Sequence, residues 1–127
     1  MEERRNVEHL GEGGMKEVEE TWVEVLAHVY AQVRWHRIKG RRHLDVFEHR
    51  LEYAKYEPDV PSAIQRLANT LSLQGVNVPL DRVELLRARE GEAMEVLRRW
   101  TKLLALKAQI RAKELRQRRR EEREAAP

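Results

Sequence analysis

The chain reads as all-α: a small helical bundle from which a long basic C-terminal helix extends. Three observations predict this. Apolar residues recur at steps of three and four, and no segment shows the strict alternation of a strand. Gly and Pro cluster where the periodic segments stop. From Arg98 to Arg120 the chain carries ten Lys or Arg residues and one acid, Glu114, with neither Pro nor Gly to interrupt a helix. At 127 residues the chain is long enough for one modest core.

Residues 1–14 form a polar arm that ends in Gly11-Glu12-Gly13-Gly14, the composition of a flexible segment or a short helical turn followed by a hinge. The bundle then spans 15–97, and the basic helix with its tail spans 98–127. The first bundle helix is expected from about Lys16 to Lys39, with Val18, Trp22, Val25, Leu26, Val29 and Val33 on one stripe. Glu17, Glu19 and Glu20 at its start and Arg34, Arg37 and Lys39 at its end oppose the helix dipole in the stabilising sense, and Gly40 is a natural terminator. The second helix runs from about Arg42 to Tyr56 on Leu44, Phe47, Leu51 and Ala54; Pro58 ends it, because the residue before a proline is forced out of helical geometry. A third helix begins near Pro61 or Ser62, presents Ile64, Leu67, Ala68 and Leu71, and closes at Gly75. The last opens with Asp81 and Glu84 at capping-box spacing and follows Val83, Leu86, Leu97, Leu104 and Ala108, with Gly91 as the expected kink or split. Uninterrupted to Arg123 it would measure roughly 65 Å at 1.5 Å per residue. Its apolar stripe fades after Ile110, so its final turns are expected to leave the body of the domain.

Charge is segregated. Residues 1–24 carry −5, 25–56 carry +4, 57–97 carry −3, 98–120 carry +9 and 121–127 carry −2, within a total of +3. Such blocks suit a protein that repeats, the acidic block of one copy beside the basic block of another; they suit equally well ordinary pairing between antiparallel helices of one chain. There are 19 Arg, 19 Glu and no Cys. Missing thiols exclude a disulfide framework and a thiolate metal site. No uncharged apolar run approaches the ~18 residues of a membrane span, and no apolar segment between the N-terminal charges marks a secretory signal.

Two clusters could carry function. One is Arg34-Trp35-His36-Arg37-Ile38-Lys39-Gly40-Arg41-Arg42-His43. The other is Arg98-Arg99-Trp100, continued by Lys102, Lys107, Arg111, Lys113, Arg116, Arg118, Arg119 and Arg120. Arg dominates both, and its planar fork grips phosphate oxygens bidentately. A dense basic helix repels itself in isolation and becomes favourable against a polyanion that releases counterions. The expected nucleic-acid contacts are therefore Arg34, Arg37, Lys39, Arg41, Arg42, Arg98, Arg99, Lys102, Lys107, Arg111, Lys113, Arg116, Arg118, Arg119 and Arg120. No sequence-reading motif accompanies them, so backbone recognition is expected. A solvated charged helix, or an adaptor helix that meets an acidic protein, is the plainer reading of the same charges. Trp35 and Trp100 could stack on bases, although between helices a Trp more often serves as a buried anchor; Trp22 belongs to the core. The histidines have no metal-ligand spacing, and neither a metal site nor a cofactor is expected.

Arg42-His43 followed by His49 resembles the loose Arg-x6-His pairing of the HEPN superfamily of helical ribonucleases. That resemblance would make His49 the general acid or base and Arg42 the phosphate clamp. In architecture and composition over its whole length, a small, Cys-free, Glu- and Arg-rich helical chain with separated basic segments resembles the major coat proteins of filamentous viruses of hyperthermophilic archaea. This resemblance implies a non-enzymatic coat subunit in the virion. Such a subunit would wrap double-stranded DNA in a helical filament, as a homo-oligomer or beside a paralogous coat protein. The segment Ser62-Ala63-Ile64-Gln65-Arg66-Leu67-Ala68-Asn69-Thr70-Leu71 resembles the small helical subunits of CRISPR effector complexes, which implies a backbone-binding ribonucleoprotein subunit in the cytoplasm instead.

Overall fold

A computed structural model describes residues 2–33, 43–71 and 73–125, with side-chain surroundings for 15–33, 44–71 and 73–125. Six helices and no strand occur among the described residues: α1 (Glu2–Ala31), α2 (His43–Ala54), α3 (Val60–Thr70), α4 (Leu80–Ala88), α5 (Glu90–Arg99) and α6 (Thr101–Ala125). They form a small bundle with a long C-terminal helix. No helix among the described residues is long and apolar enough to cross a membrane.

The axis of the bundle is the pair α1 and α6. Val18, Trp22, Val25, Leu26, Val29 and Tyr30 are buried on α1; Leu104, Ala105, Ala108 and Ala112 are buried on α6. The two helices run parallel. Lys107 meets Glu19, Arg111 meets Glu24, and Arg116 meets the carbonyls of Tyr30 and Ala31, so both residue numbers rise together along the contact. Pairing of charge blocks within the chain thus occurs, but between parallel helices and not the antiparallel neighbours expected. Helices joined by short loops alternate in direction; α1 and α6 are separated by four others, so nothing in the connectivity forbids a parallel contact.

Helix α1 starts at Glu2 and continues through Gly11, Gly13 and Gly14, where a hinge was expected. It ends at Ala31, eight residues before the expected Lys39, with the Gln32 and Val33 amides bonded back to Val29 and Tyr30. Arg34, Trp35, Arg37, Lys39, Gly40, Arg41 and Arg42 lie outside the described residues. Helix α2 supplies Phe47, Leu51 and Ala54 to the core, and the Tyr30 and Phe47 rings meet edge to face at 4.7 Å.

Helix α3 starts where Pro61 and Ser62 indicate. Asp59 is its N-cap and accepts from the Ser62 amide at 2.8 Å, while Glu90 of α5 accepts from the Val60 amide at 2.8 Å. Two carboxylates thus satisfy amides that the helix cannot pair itself. The Ser62 bonds, side chain first and backbone second, hold the Asp59 carboxyl below the usual carboxylate range. The helix does not close at Gly75. It ends at Thr70 through the Leu71 amide on Leu67 and the Leu73 amide on Ala68. Gly75 lies further on, at φ +62, a backbone region that favours glycine. Gln32 ties this loop to α1, exchanging bonds of 2.9 and 3.1 Å with the backbone of Asn77.

The expected single helix after Pro79 is three helices. Asp81 does not cap: α4 begins one residue earlier, on the Pro79 carbonyl, which accepts from the Arg82 and Val83 amides. The first break is at Arg89, not Gly91, which sits inside the first turn of α5. The second is at Trp100. There the Thr101 hydroxyl donates to the Leu97 carbonyl at 2.6 Å, a back-bond that bends helices by competing for the ladder carbonyl. Beyond Arg116 every described side chain of α6 is exposed, so the last turns leave the body of the bundle.

Candidate nucleic-acid interface

The basic residues of the C-terminal region divide into cations that hold the bundle together and cations that face water. Arg111 is the clearest of the first kind. Its Nε and Nη2 donate to the two carboxylate oxygens of Glu24 at 2.9 and 3.1 Å, and its Nη1 donates to Glu114 at 2.8 Å. Both Arg111 and Glu24 are mostly covered, so this bidentate pair is stronger than an ordinary surface ion pair. The Arg111 bond, ahead of the opposing effect of burial, holds the Glu24 carboxyl below its ordinary value. Glu24 is therefore deprotonated more readily in the folded chain than in the unfolded one. Its contribution is present above the unfolded value of about 4.3 and is lost as pH falls through the lowered folded value. Glu24→Gln is expected to be less stable than the parent at pH 7 and to lose less on acidification towards pH 3, read from urea midpoints. An equal acid-induced loss in both proteins would refute the assignment.

Arg116 closes the end of α1. Its Nε donates to the Ala31 carbonyl at 3.3 Å, and its Nη2 donates to the carbonyls of Tyr30 at 3.2 Å and Val33 at 3.0 Å. The guanidinium carbon also lies 5.4 Å from the Tyr30 ring centroid. A cation on the exposed carbonyls of a helix C-terminus satisfies orphan acceptors and opposes the dipole. Arg116→Met keeps the apolar stem and removes the donors; it is expected to cost about 2 kcal/mol in chemical unfolding. A cost within about 0.5 kcal/mol, the range of ordinary surface changes, would show that water replaces Arg116 at no loss.

Two further cations are engaged. Lys107 Nζ lies 2.6 Å from Glu19, and Arg98 Nε donates to the Lys55 carbonyl at the end of α2 at 3.2 Å. Of the fifteen residues expected to contact nucleic acid, four (Arg98, Lys107, Arg111 and Arg116) thus make contacts between helices. Five (Arg34, Arg37, Lys39, Arg41 and Arg42) lie outside the described residues.

The remaining six face solvent. Arg99 and Lys102 have only loose pairs, each 3.9 Å from a carboxylate, Glu95 and Glu48 respectively. Lys113, Arg118, Arg119 and Arg120 are exposed and pair with no acid among the described residues. By helical spacing, Lys102, Lys113 and Arg120 fall on one line along the outer face of α6. By the same spacing Arg119 continues the stripe of Ala105, Ala108 and Ala112 past the end of α1, and Arg118 lies on the far side of the helix from Lys113 and Arg120, so the distal turns are basic on several sides. Leu106 and Ile110, 44% and 53% exposed, lie on the same outer face between Lys102 and Lys113.

The sequence favours a buried anchor for Trp100, and the structure corrects this: it is 42% exposed, at the break between α5 and α6, whereas Trp22 is wholly buried. His49 is exposed on α2, with its ring 5.4 Å from Tyr53; its expected partner Arg42 lies outside the described residues. No group of His, Cys, Asp or Glu among the described residues could hold a metal ion. No protein-family model matches the chain, and neither a curated protein nor a solved structure matches it.

Proposed function

We propose that the protein is a non-enzymatic packaging subunit that grips the phosphate backbone of double-stranded DNA without reading sequence and repeats along it as a filament coat. The observation that carries this reading is the set Lys113, Arg118, Arg119 and Arg120: an exposed cation on α6 and three more on its projecting end, with no acid paired to them among the described residues. Unpaired cations break no existing contact when they move onto phosphate, whereas Arg111 and Arg116 would first have to abandon Glu24 and the α1 carbonyls. Arg99 and Lys102 extend the contact towards the bundle, since exposed pairs at 3.9 Å exchange readily for phosphate. Leu106 and Ile110 supply an apolar ridge suited to a neighbouring subunit.

Fluorescence anisotropy with unrelated duplexes of equal length tests the reading. Affinity should be the same for every sequence and should fall linearly in log–log form with salt, with a slope of about −4 to −5 for four to six phosphates. A marked sequence preference, or affinity indifferent to salt, would overturn it. Electron microscopy of the protein with long duplex DNA should show filaments; discrete particles would exclude the coat.

A further inference from the structure

We infer that the concavity at the α5–α6 junction seats an unpaired nucleobase, stacked on the Trp100 indole with the adjoining phosphate on Arg99 and Lys102. The inference rests on the phosphate-binding reading above and adds a ligand class to it: a single strand or a strand end. A paired base inside a duplex has no free face to offer an indole.

The concavity holds about 340 Å³ and is lined by Glu52, Lys55, Arg98, Arg99, Trp100 and Lys102, among others. That volume is at the small end of ligand pockets. Trp100 is the aromatic side chain of its wall, and its 42% exposure leaves aromatic surface in water. Exposed indole beside cations is the composition that sequence-tolerant single-strand binders use, since every base has a π-face and every linkage a phosphate.

The walls are also fixed before any ligand arrives. Arg98 donates to the Lys55 carbonyl at 3.2 Å, locking α5 onto the end of α2. Lys55 is held by Glu52 at 2.7 Å, and the backbone of Trp100 is bonded to Val96 on one side and Leu104 on the other, beside the Thr101 hydroxyl on the Leu97 carbonyl. A site already in shape loses little conformational freedom on binding. By contrast, the Arg99 and Lys102 side chains are 59% and 84% exposed and only loosely paired, so they are free to turn onto a phosphate.

The test uses the full chain with two probes, an oligothymidylate of about a dozen nucleotides, within single-strand site sizes, and a duplex of the same length. Oligothymidylate should quench indole fluorescence and shield it from iodide. Trp100→Leu should abolish most of the quenching and weaken oligothymidylate binding about tenfold, the loss of one stacked base, while duplex affinity changes less than about twofold. Trp100→Phe should retain most of the single-strand affinity. Binding of the oligothymidylate by Trp100→Leu at parental strength would overturn the inference. So would the absence of iodide shielding in the parent protein, a measurement that needs no variant to fold. The outcomes separate the two readings. Duplex binding without single-strand quenching sinks the base seat alone; quenching and single-strand binding without duplex binding sink the duplex coat alone; binding of neither probe sinks both.

Discussion

Trp22→Ala is expected to destabilise the protein by about 3–5 kcal/mol, the range for emptying a large buried aromatic site. Trp22 is fully buried on α1, and its Nε1 donates to the Ala93 carbonyl of α5 at 2.7 Å. The substitution removes the side chain that fills the space between these helices and strips a carbonyl of its partner. Domains of this kind have about 5–15 kcal/mol in total, so the loss is a large share of the stability and the urea midpoint should fall clearly. Trp22→Phe retains much of the apolar volume and loses the bond; it should fall between the two. Urea unfolding followed by circular dichroism measures all three. A loss below about 1 kcal/mol in Trp22→Ala, typical of an ordinary point mutation, would mean that Trp22 does not bridge α1 and α5 in solution.

Replacing Arg118, Arg119 and Arg120 together by Gln is expected to lower duplex affinity on the order of a hundredfold at low salt and to reduce the salt slope by about three, one per phosphate contact. Stability should stay within about 0.5 kcal/mol, the range for surface changes away from special features, because these side chains are exposed and pair with no acid among the described residues. The contrast with Arg111→Gln is the informative part. Arg111 belongs to the same basic helix by sequence, yet it is bonded to Glu24 and Glu114. Its loss should lower the urea midpoint and leave the salt slope almost unchanged. If Arg111→Gln flattened the slope as much as the triple variant, the division into bracing and outward cations would be wrong. If the triple variant bound duplex like the parent, the distal turns of α6 would not be the phosphate surface.

Much of this architecture is legible residue by residue. The stripe from Val18 to Val29 is buried as its spacing predicts, as are Phe47, Leu51, Leu67, Leu86, Leu97 and Leu104. These positions follow from helical periodicity, which depends only on neighbours a turn away. Pro61 and Ser62 mark the start of α3 for the same local reason. The misses share a cause. Asp81 at capping spacing loses to the carbonyl of Pro79, and Gly91 is overtaken by breaks at Arg89 and Trp100. Arg89 is drawn towards Glu17 of α1, and the exposed Trp100 sits at a bend set by Thr101. Propensity at a single position is a few tenths of a kcal/mol to about one, and a tertiary contact or a competing hydrogen bond is of that size or larger.

Composition and periodicity determined by themselves that this chain is helical, that α6 is long and basic, and that its end outruns the core, because each of these depends on residues within a turn or two of one another. Only the tertiary structure decided which cations are available. Lys107, Arg111 and Arg116 find their partners in Glu19, Glu24 and the end of α1, more than eighty positions earlier in the chain. That pairing exists because α1 and α6 lie side by side and parallel. Coulomb attraction and hydrogen bonding act through space over a few ångströms, so a guanidinium that looks free along the chain can be spent on the fold, and Arg118 to Arg120 stay outward because α6 runs past the end of its partner.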